Sequence, residues 1–183
     1  MAQTPDDKEL LLQFRNDATK ERAFTAILKK YQEKLYWHIR RMVVEHEDAN
    51  DVLQNMFVKA WKGLENFRED SQLYTWLYRI ATNECLSFLE QQKRKGTVSM
   101  SDEETGLSNK LKSEDNFDGN KLEWKLQLAV QTLPEKQKAV FNLRYYDEMP
   151  YNEMSKVLET SEGALKASYH HAVKKIEEYI LNH

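Results

Sequence analysis

The residues best able to do chemistry lie near the C-terminus. A helix advances about 100° per residue. On that wheel Gly163, Lys166, Ala167, His170, His171 and Lys174 share one side of a segment running to about Leu181, and Leu165, Tyr169, Ala172, Ile176 and Ile180 share the other. Glu162 is the one carboxylate, at the margin of the first set. A stripe of Lys and His donors, poor in carboxylates, suits base edges and phosphates in a major groove. The start, Ser161-Glu162-Gly163-Ala164, adds backbone N–H groups and the positive end of a helix dipole. A solvated helix face has the same composition, and the stripe alone favours that plainer reading, since most helices bind no DNA. Cys85 lies inside an apolar helical pattern and fits a small buried hydrophobe better than a nucleophile. His46, flanked by Glu45, Glu47 and Asp48, is more simply a charged helix start than a metal ligand, and the adjacent His170 and His171 diverge too far to share an ion. There is no Gly-rich phosphate loop, His-Glu-x-x-His or Gly-x-Ser-x-Gly. These residues predict a binding protein rather than an enzyme, with no catalytic residues, no metal and no cofactor.

The elements that must position these groups are helices. Five Gly and three Pro in 183 residues are too few for the turns of a sheet protein. A short helix from about Asp6 to Asn16 is followed by three longer ones at the 3.6-residue period. Phe24, Ile27, Leu28, Tyr31, Leu35, Ile39, Met42 and Val43 line the first, with Thr19 near its start. Ala49, Val52, Leu53, Met56, Phe57, Ala60, Trp61 and Leu64 line the second, and Leu73, Trp76, Leu77, Ile80, Ala81 and Phe88 the third. Downstream, Asn120-Lys121-Leu122-Glu123 fits a cap followed by a helix. Leu133-Pro134-Glu135 opens another, carrying Val140, Phe141, Leu143 and Tyr145. Pro150 opens a short helix with Met154, Val157 and Leu158 inward. The turn Leu158-Glu159-Thr160 then leads to the last helix, a helix-turn-helix arrangement.

The formal net charge of −3 and a pI near 6.0 argue, at face value, against nucleic acid as a partner. Position alters that reading. Residues 1–95 hold 16 basic and 15 acidic side chains, residues 96–120 hold 2 and 6, and residues 121–183 hold 9 and 9. The acidity belongs to a segment with Gly96, Gly106 and Gly119 and sparse apolar residues, the composition of a solvated linker. The expected fold is all-α: a helical bundle over 1–95 and a helix-turn-helix domain over 121–183, two small helical domains joined by a flexible acidic linker over 96–120. A lone cysteine fits a reducing cytoplasm. An acidic N-terminus without an apolar core is not a secretory signal, and no run of ~18 apolar residues predicts a membrane span.

Two segments together resemble a known family. Asp48 through Trp61, followed by Phe67-Arg68 and Thr75 through Asn83, resembles region 2 of bacterial sigma factors. Leu133-Pro134, Val140 through Arg144, Tyr151 through Met154 and Ser161 through Lys166 resemble region 4. With only these two regions, the chain resembles an extracytoplasmic-function sigma factor. The resemblance implies a monomer when free that binds RNA polymerase core through the beta-prime and beta subunits, reads promoter DNA and starts transcription. It also implies that an anti-sigma factor holds the protein inactive. Asp48, Asp51, Gln54, Asn55 and Lys59 fall on the helix that meets polymerase in the family. Phe67, Arg68, Asp70, Ser71 and Gln72 fall in the loop that captures a flipped minus-ten base, with Leu73 and Tyr74 as further walls. A flipped base needs hydrogen-bond partners between apolar walls. On the next helix Tyr78, Arg79 and Asn83 are the expected strand contacts, and Trp76 a buried anchor. Aromatic faces beside donors suit melted single strands. Lys93-Arg94-Lys95 fits a phosphate clamp. Ser161, Glu162, Gly163, Lys166, Ala167, Ser168, His170, His171 and Lys174 fall on the minus-thirty-five helix.

The chain departs from the family where Arg is common, at Ser168 and His171, and where Gly is common, at Glu159. A neutral imidazole grips phosphate weakly, which predicts reliance on polymerase for the grip. Two other classes fit helical DNA-binding patterns: a stand-alone helix-turn-helix repressor or activator, which footprints duplex DNA by itself, and an adaptor that binds only proteins.

Overall fold

The computed structural model describes residues 6–96 and 121–183. The linker expected over 96–120 and the Asn120 cap lie outside the described residues, apart from Gly96. Among the described residues there are eight helices and no strand. In chain order they are α1 (Asp7–Phe14), α2 (Lys20–Val43), α3 (His46–Leu64), α4 (Leu73–Arg94), α5 (Lys121–Gln131), α6 (Glu135–Tyr145), α7 (Tyr151–Leu158) and α8 (Glu162–Asn182).

Helices α2, α3 and α4 bury their apolar stripes on one another. The stripe of α2 runs Ala23, Ile27, Tyr31, Leu35, Ile39 and Met42; that of α3 runs Ala49, Val52, Met56, Ala60 and Leu64. Steps of three and four residues keep each set on one face. Helix α1 closes one end with Leu10, Leu11 and Phe14. The Phe14 ring meets Trp61 edge-on with 5.3 Å between centroids, and Phe24 meets the same indole at 5.0 Å. The Thr19 hydroxyl, donating 2.6 Å to the Gln13 carbonyl, pins the α1–α2 turn.

Helices α5, α6 and α8 share a second apolar cluster of Ala129, Val130, Leu133, Phe141, Ala172 and Ile176. Helix α6 buries six consecutive residues, Lys138 to Leu143. An amphipathic stripe cannot explain that run. One side of α6 packs on α8 and the other on α2, so the middle of the helix is buried on both sides. Tyr145, expected inward, is instead half-exposed and stacks on Phe141 at 5.1 Å.

The two groups of helices touch. Helix α7 lies along α4, and α6 along the end of α2. Ala139, Val140, Leu143, Met149, Met154, Val157 and Leu165 join the buried cluster built on α1–α4. That contact explains a second departure from expectation. On α4 the buried residues include Thr75, Tyr78 and Thr82, while Trp76, Ile80 and Phe88 are only partly buried. The stripe read from α4 covers one neighbour; the observed buried surface wraps round to a second.

Candidate nucleic-acid interface

Helix α8 begins where the sequence places it. The Ser161 hydroxyl accepts the Ala164 N–H at 3.3 Å, satisfying one of the orphan donors of the first turn. Leu165, Ala172 and Ile176 anchor one face of the helix in the molecule. On the other face Gly163, Lys166, Ala167, His170, His171 and Lys174 are all exposed, as are Ser161 and Glu162, with Ser168 partly covered at the margin. The His170 and His171 rings stand 6.0 Å apart and tilted, without a common focus. Lys166 Nζ lies 5.6 Å above the Tyr151 ring, whose other neighbour is the Arg144 guanidinium at 5.0 Å. Two cations thus gather on one aromatic beside the open face.

The turn before α8 is tight because Glu159 adopts a left-handed conformation, φ 50° and ψ 42°. A side chain there costs about 1 kcal/mol relative to glycine. The Glu159 carboxylate reaches across to α4 and pairs with the Arg79 guanidinium.

The loop between α3 and α4 forms one wall of a cleft of about 440 Å³. Phe67, nearly buried, packs its ring 5.1 Å from Trp76. Gly63 makes this possible: a Cβ there would stand 3.0 Å from Trp76 Cζ2. Arg68, Asp70 and Ser71 line the cleft above this apolar floor; exposed Gln72 is the N-cap of α4. The opposite wall is supplied by Ser155 and Lys156 of α7 and by Glu159 in the turn after it. Trp76, expected as a buried anchor, therefore also lines the cleft.

Three donors of α4 and α2 are engaged from across the chain. The Thr75 hydroxyl donates to Glu153 Oε2 at 2.6 Å. The Tyr78 hydroxyl donates to Asp147 Oδ1 at 3.2 Å. His38, fully buried, bridges Asp147 Oδ2 at 3.0 Å and Thr82 Oγ1 at 2.9 Å. Arg41 Nη1 stands 3.7 Å from the same Asp147. Tyr78, a strand contact by expectation, is thus buried here. Burial first, and the Asp147 charge second, push its phenol well above the usual range. Sequence periodicity could not show this, because what covers Tyr78 is the α6–α7 loop. Arg79 and Asn83 are exposed. At the end of α4, Lys93 pairs with Glu135 of α6 at 2.8 Å and Arg94 with Glu90 at 2.5 Å.

Asp51, Gln54 and Asn55 form an exposed row on α3, and Val58, 54% exposed, continues it at the same helical spacing. Val58 has a signal in the sequence, an apolar residue out of phase with the buried stripe. Asp48 is partly covered and accepts from Gln92 Nε2 at 3.3 Å, and Lys59 is paired with Glu84. Cys85 is fully buried and its thiol is pushed far up by that burial, which removes it as a nucleophile. Among the described residues no group of His, Cys, Asp and Glu is placed to hold a metal ion.

Residues 27–95 match the family Sigma-70 region 2, and residues 123–176 match Sigma-70, region 4. RNA polymerase sigma-H factor of Pseudomonas aeruginosa is 31% identical over 86% of this chain and 86% of its own length. ECF RNA polymerase sigma-E factor of Haemophilus influenzae is 29% identical over 87% of this chain and 88% of its own, and that of Escherichia coli K12 is 29% identical over 87% of each. Among solved structures, CnrH in complex with the cytosolic domain of CnrY superposes with a TM-score of 0.68 at 21% identity, over 94% of this chain and 95% of that one. Sigma factor RpoE in complex with the anti-sigma factor NepR from Bartonella quintana superposes with a TM-score of 0.67 at 18% identity, over 86% and 96%.

Proposed function

The chain belongs to the extracytoplasmic-function sigma factors, alternative sigma factors that bind RNA polymerase core, recognise promoter minus-ten and minus-thirty-five elements and promote initiation, and from that premise we propose how its residues divide the work. Residues 1–95 bind core and the minus-ten element, residues 96–120 are the acidic linker, and residues 121–183 bind the minus-thirty-five element. The observation that carries this division is the order of the two family regions, the second ending on a helix whose Lys and His face is open.

On α8, Lys166 and Lys174 supply charge to phosphates, and His170 and His171 supply donors for base edges or phosphate oxygens. Gly163 and Ala167 keep the helix surface low, so that its backbone can approach the groove. Ser161, Glu162 and Ser168 flank the contact. In the α3–α4 cleft, Phe67 and Trp76 provide the apolar walls for a flipped base, and Arg68, Asp70, Ser71 and Gln72 its polar partners. Arg79 and Asn83 continue the strand path along α4, with Tyr78 behind them. Asp51, Gln54, Asn55 and Val58 form the polymerase-facing row, with Asp48 and Lys59 at its edges. The relatives are transcription factors rather than enzymes. No described helix is long and apolar enough to cross a membrane. We place the protein in the cytoplasm as a free monomer, with an anti-sigma factor as a regulatory partner.

Near-neutral helical groups imply a weak hold on free DNA, with polymerase supplying the grip. In vitro transcription with purified core on a promoter library tests the reading. Initiated transcript that depends on this chain is expected. A chain that footprints duplex DNA alone and neither binds core nor yields transcript is a repressor, and the assignment fails.

A further inference from the structure

We propose that the free chain inhibits itself: Glu153 of α7, with Asp147 and Glu159 in the turns that flank it, occupies donors on α2 and α4 where melted promoter DNA would otherwise bind. The inference rests on the assignment of the α3–α4 cleft and α4 to the minus-ten element.

Three carboxylates, anionic acceptors as the phosphates of a strand are, meet donors on this face. Glu159 neutralises Arg79, the exposed cation on that face of α4. Glu153, buried, takes the Thr75 hydroxyl at 2.6 Å, and Asp147 takes Tyr78 and His38. Near-isosteric acceptors on the same donors exclude a strand sterically and electrostatically. The cleft that would take the flipped base has Ser155 and Lys156 of α7 as its far wall, so the base and α7 compete for one space. By contrast the α8 face is uncovered.

The contact also has features of one that is meant to open. Its apolar part includes Met149 and Met154, flexible side chains that repack at low cost. Asn142 Oδ1 is buried beside it with no hydrogen-bond partner among the described residues, while Nδ2 reaches only Met42 Sδ at 3.5 Å. A polar atom left unpaired in the closed state is relieved when the helices part. Sequence separations of 78 and 109 residues show that the two best bonds join one group of helices to the other rather than neighbours within one.

Two readouts on the full chain test this. Cysteines introduced at exposed Glu21 and Glu178 carry a fluorescent pair for energy transfer, buried Cys85 remaining unlabelled; a dye-labelled pool of random single-stranded 12-mers reports binding by anisotropy. Glu153→Gln with Glu159→Gln is expected to lower energy transfer and raise oligonucleotide affinity about tenfold or more, since a buried charged acceptor and an ion pair are lost together. Glu159→Gln alone, at an exposed position that cannot unfold the core, is expected to raise it about threefold. Saturating oligonucleotide should open the unsubstituted chain. Variants that remain closed with unchanged affinity overturn the proposal and leave the minus-ten assignment standing. Variants that open without any gain in affinity overturn the proposal by a different route, because the uncovered face is then not the DNA site.

Discussion

The two surfaces proposed to meet DNA are built on opposite principles. The α8 face is a row of exposed side chains on a helix whose other side is anchored by Leu165, Ala172 and Ile176. Among the described residues few of its side chains have partners, Lys166 against Tyr151 being one, so the fold does little to fix their identities. The α4 face is woven into the fold: Thr75, Tyr78 and Thr82 are buried, and Arg79 is paired. A surface of the first kind can be changed without cost to stability. A surface of the second kind cannot, because each donor is also part of the contact between the two groups of helices.

The largest effect should fall at Asp147. It accepts from Tyr78 and His38 and stands beside Arg41. Asp147→Ala leaves a buried imidazole and a buried hydroxyl without their acceptor, and is expected to cost about 2–4 kcal/mol in urea unfolding. Lys174→Ala, on the open face, should fall within about 0.5 kcal/mol of the starting protein. Equal costs at the two positions would erase the contrast. For DNA the order reverses. Lys166→Ala with His171→Ala should reduce use of a minus-thirty-five-dependent promoter roughly tenfold, flatten its salt dependence and leave core binding intact. Equal loss of core binding would make that face structural.

Alkaline pH probes the covered face selectively. The Tyr78 phenol is raised above its ordinary value of 10.0, first by burial and then by Asp147, and Tyr146 is raised by burial. A folded-state pKa above the unfolded one stabilises the fold fully below the unfolded value and loses that stabilisation as pH climbs above it. Stability should therefore hold to about pH 10 and fall beyond it, and Tyr78→Phe should make the fall shallower. Tyr31, raised in the same way by burial and by Asp7, contributes to the slope that remains.

How far each surface can be read from sequence follows from the same contrast. The α8 face and the helix-turn-helix are local, set by a 3.6-residue period, a Ser cap and a tight turn, and the structure places most of those residues as periodicity implies, with Leu158, Tyr169 and Ile180 only partly buried. Helices α2 and α3 are legible for the same reason. The α4 face is not. Tyr78 sits off the apolar stripe of its own helix and is buried by a loop 69 residues away. Glu153 sits among the inward positions of α7, where a carboxylate is unexpected until Thr75 meets it. Periodicity describes one neighbour at a time; a helix wedged between two, such as α4 or α6, buries residues that no single stripe contains.

Glu159 separates the two surfaces at one residue, since its backbone makes the turn before the open face and its carboxylate closes the covered one. Glu159→Gly relieves the left-handed backbone and Glu159→Ala does not, while both remove the pair with Arg79. The glycine variant should exceed the alanine variant in stability by about 1 kcal/mol. Both should bind single-stranded DNA equally well, because that property follows the carboxylate alone.

The smallest expected effect belongs to Gly163. A Cβ there would meet nothing within 4 Å, and its φ lies outside the left-handed range. Gly163→Ala, in the first turn of α8 rather than its interior, should therefore stabilise the helix by at most about 0.5 kcal/mol. Nothing among the described residues requires glycine at this place. If the variant also loses promoter binding while gaining stability, the glycine serves the close approach of the helix to DNA. If affinity is unchanged, the contact begins further along the helix, at Lys166.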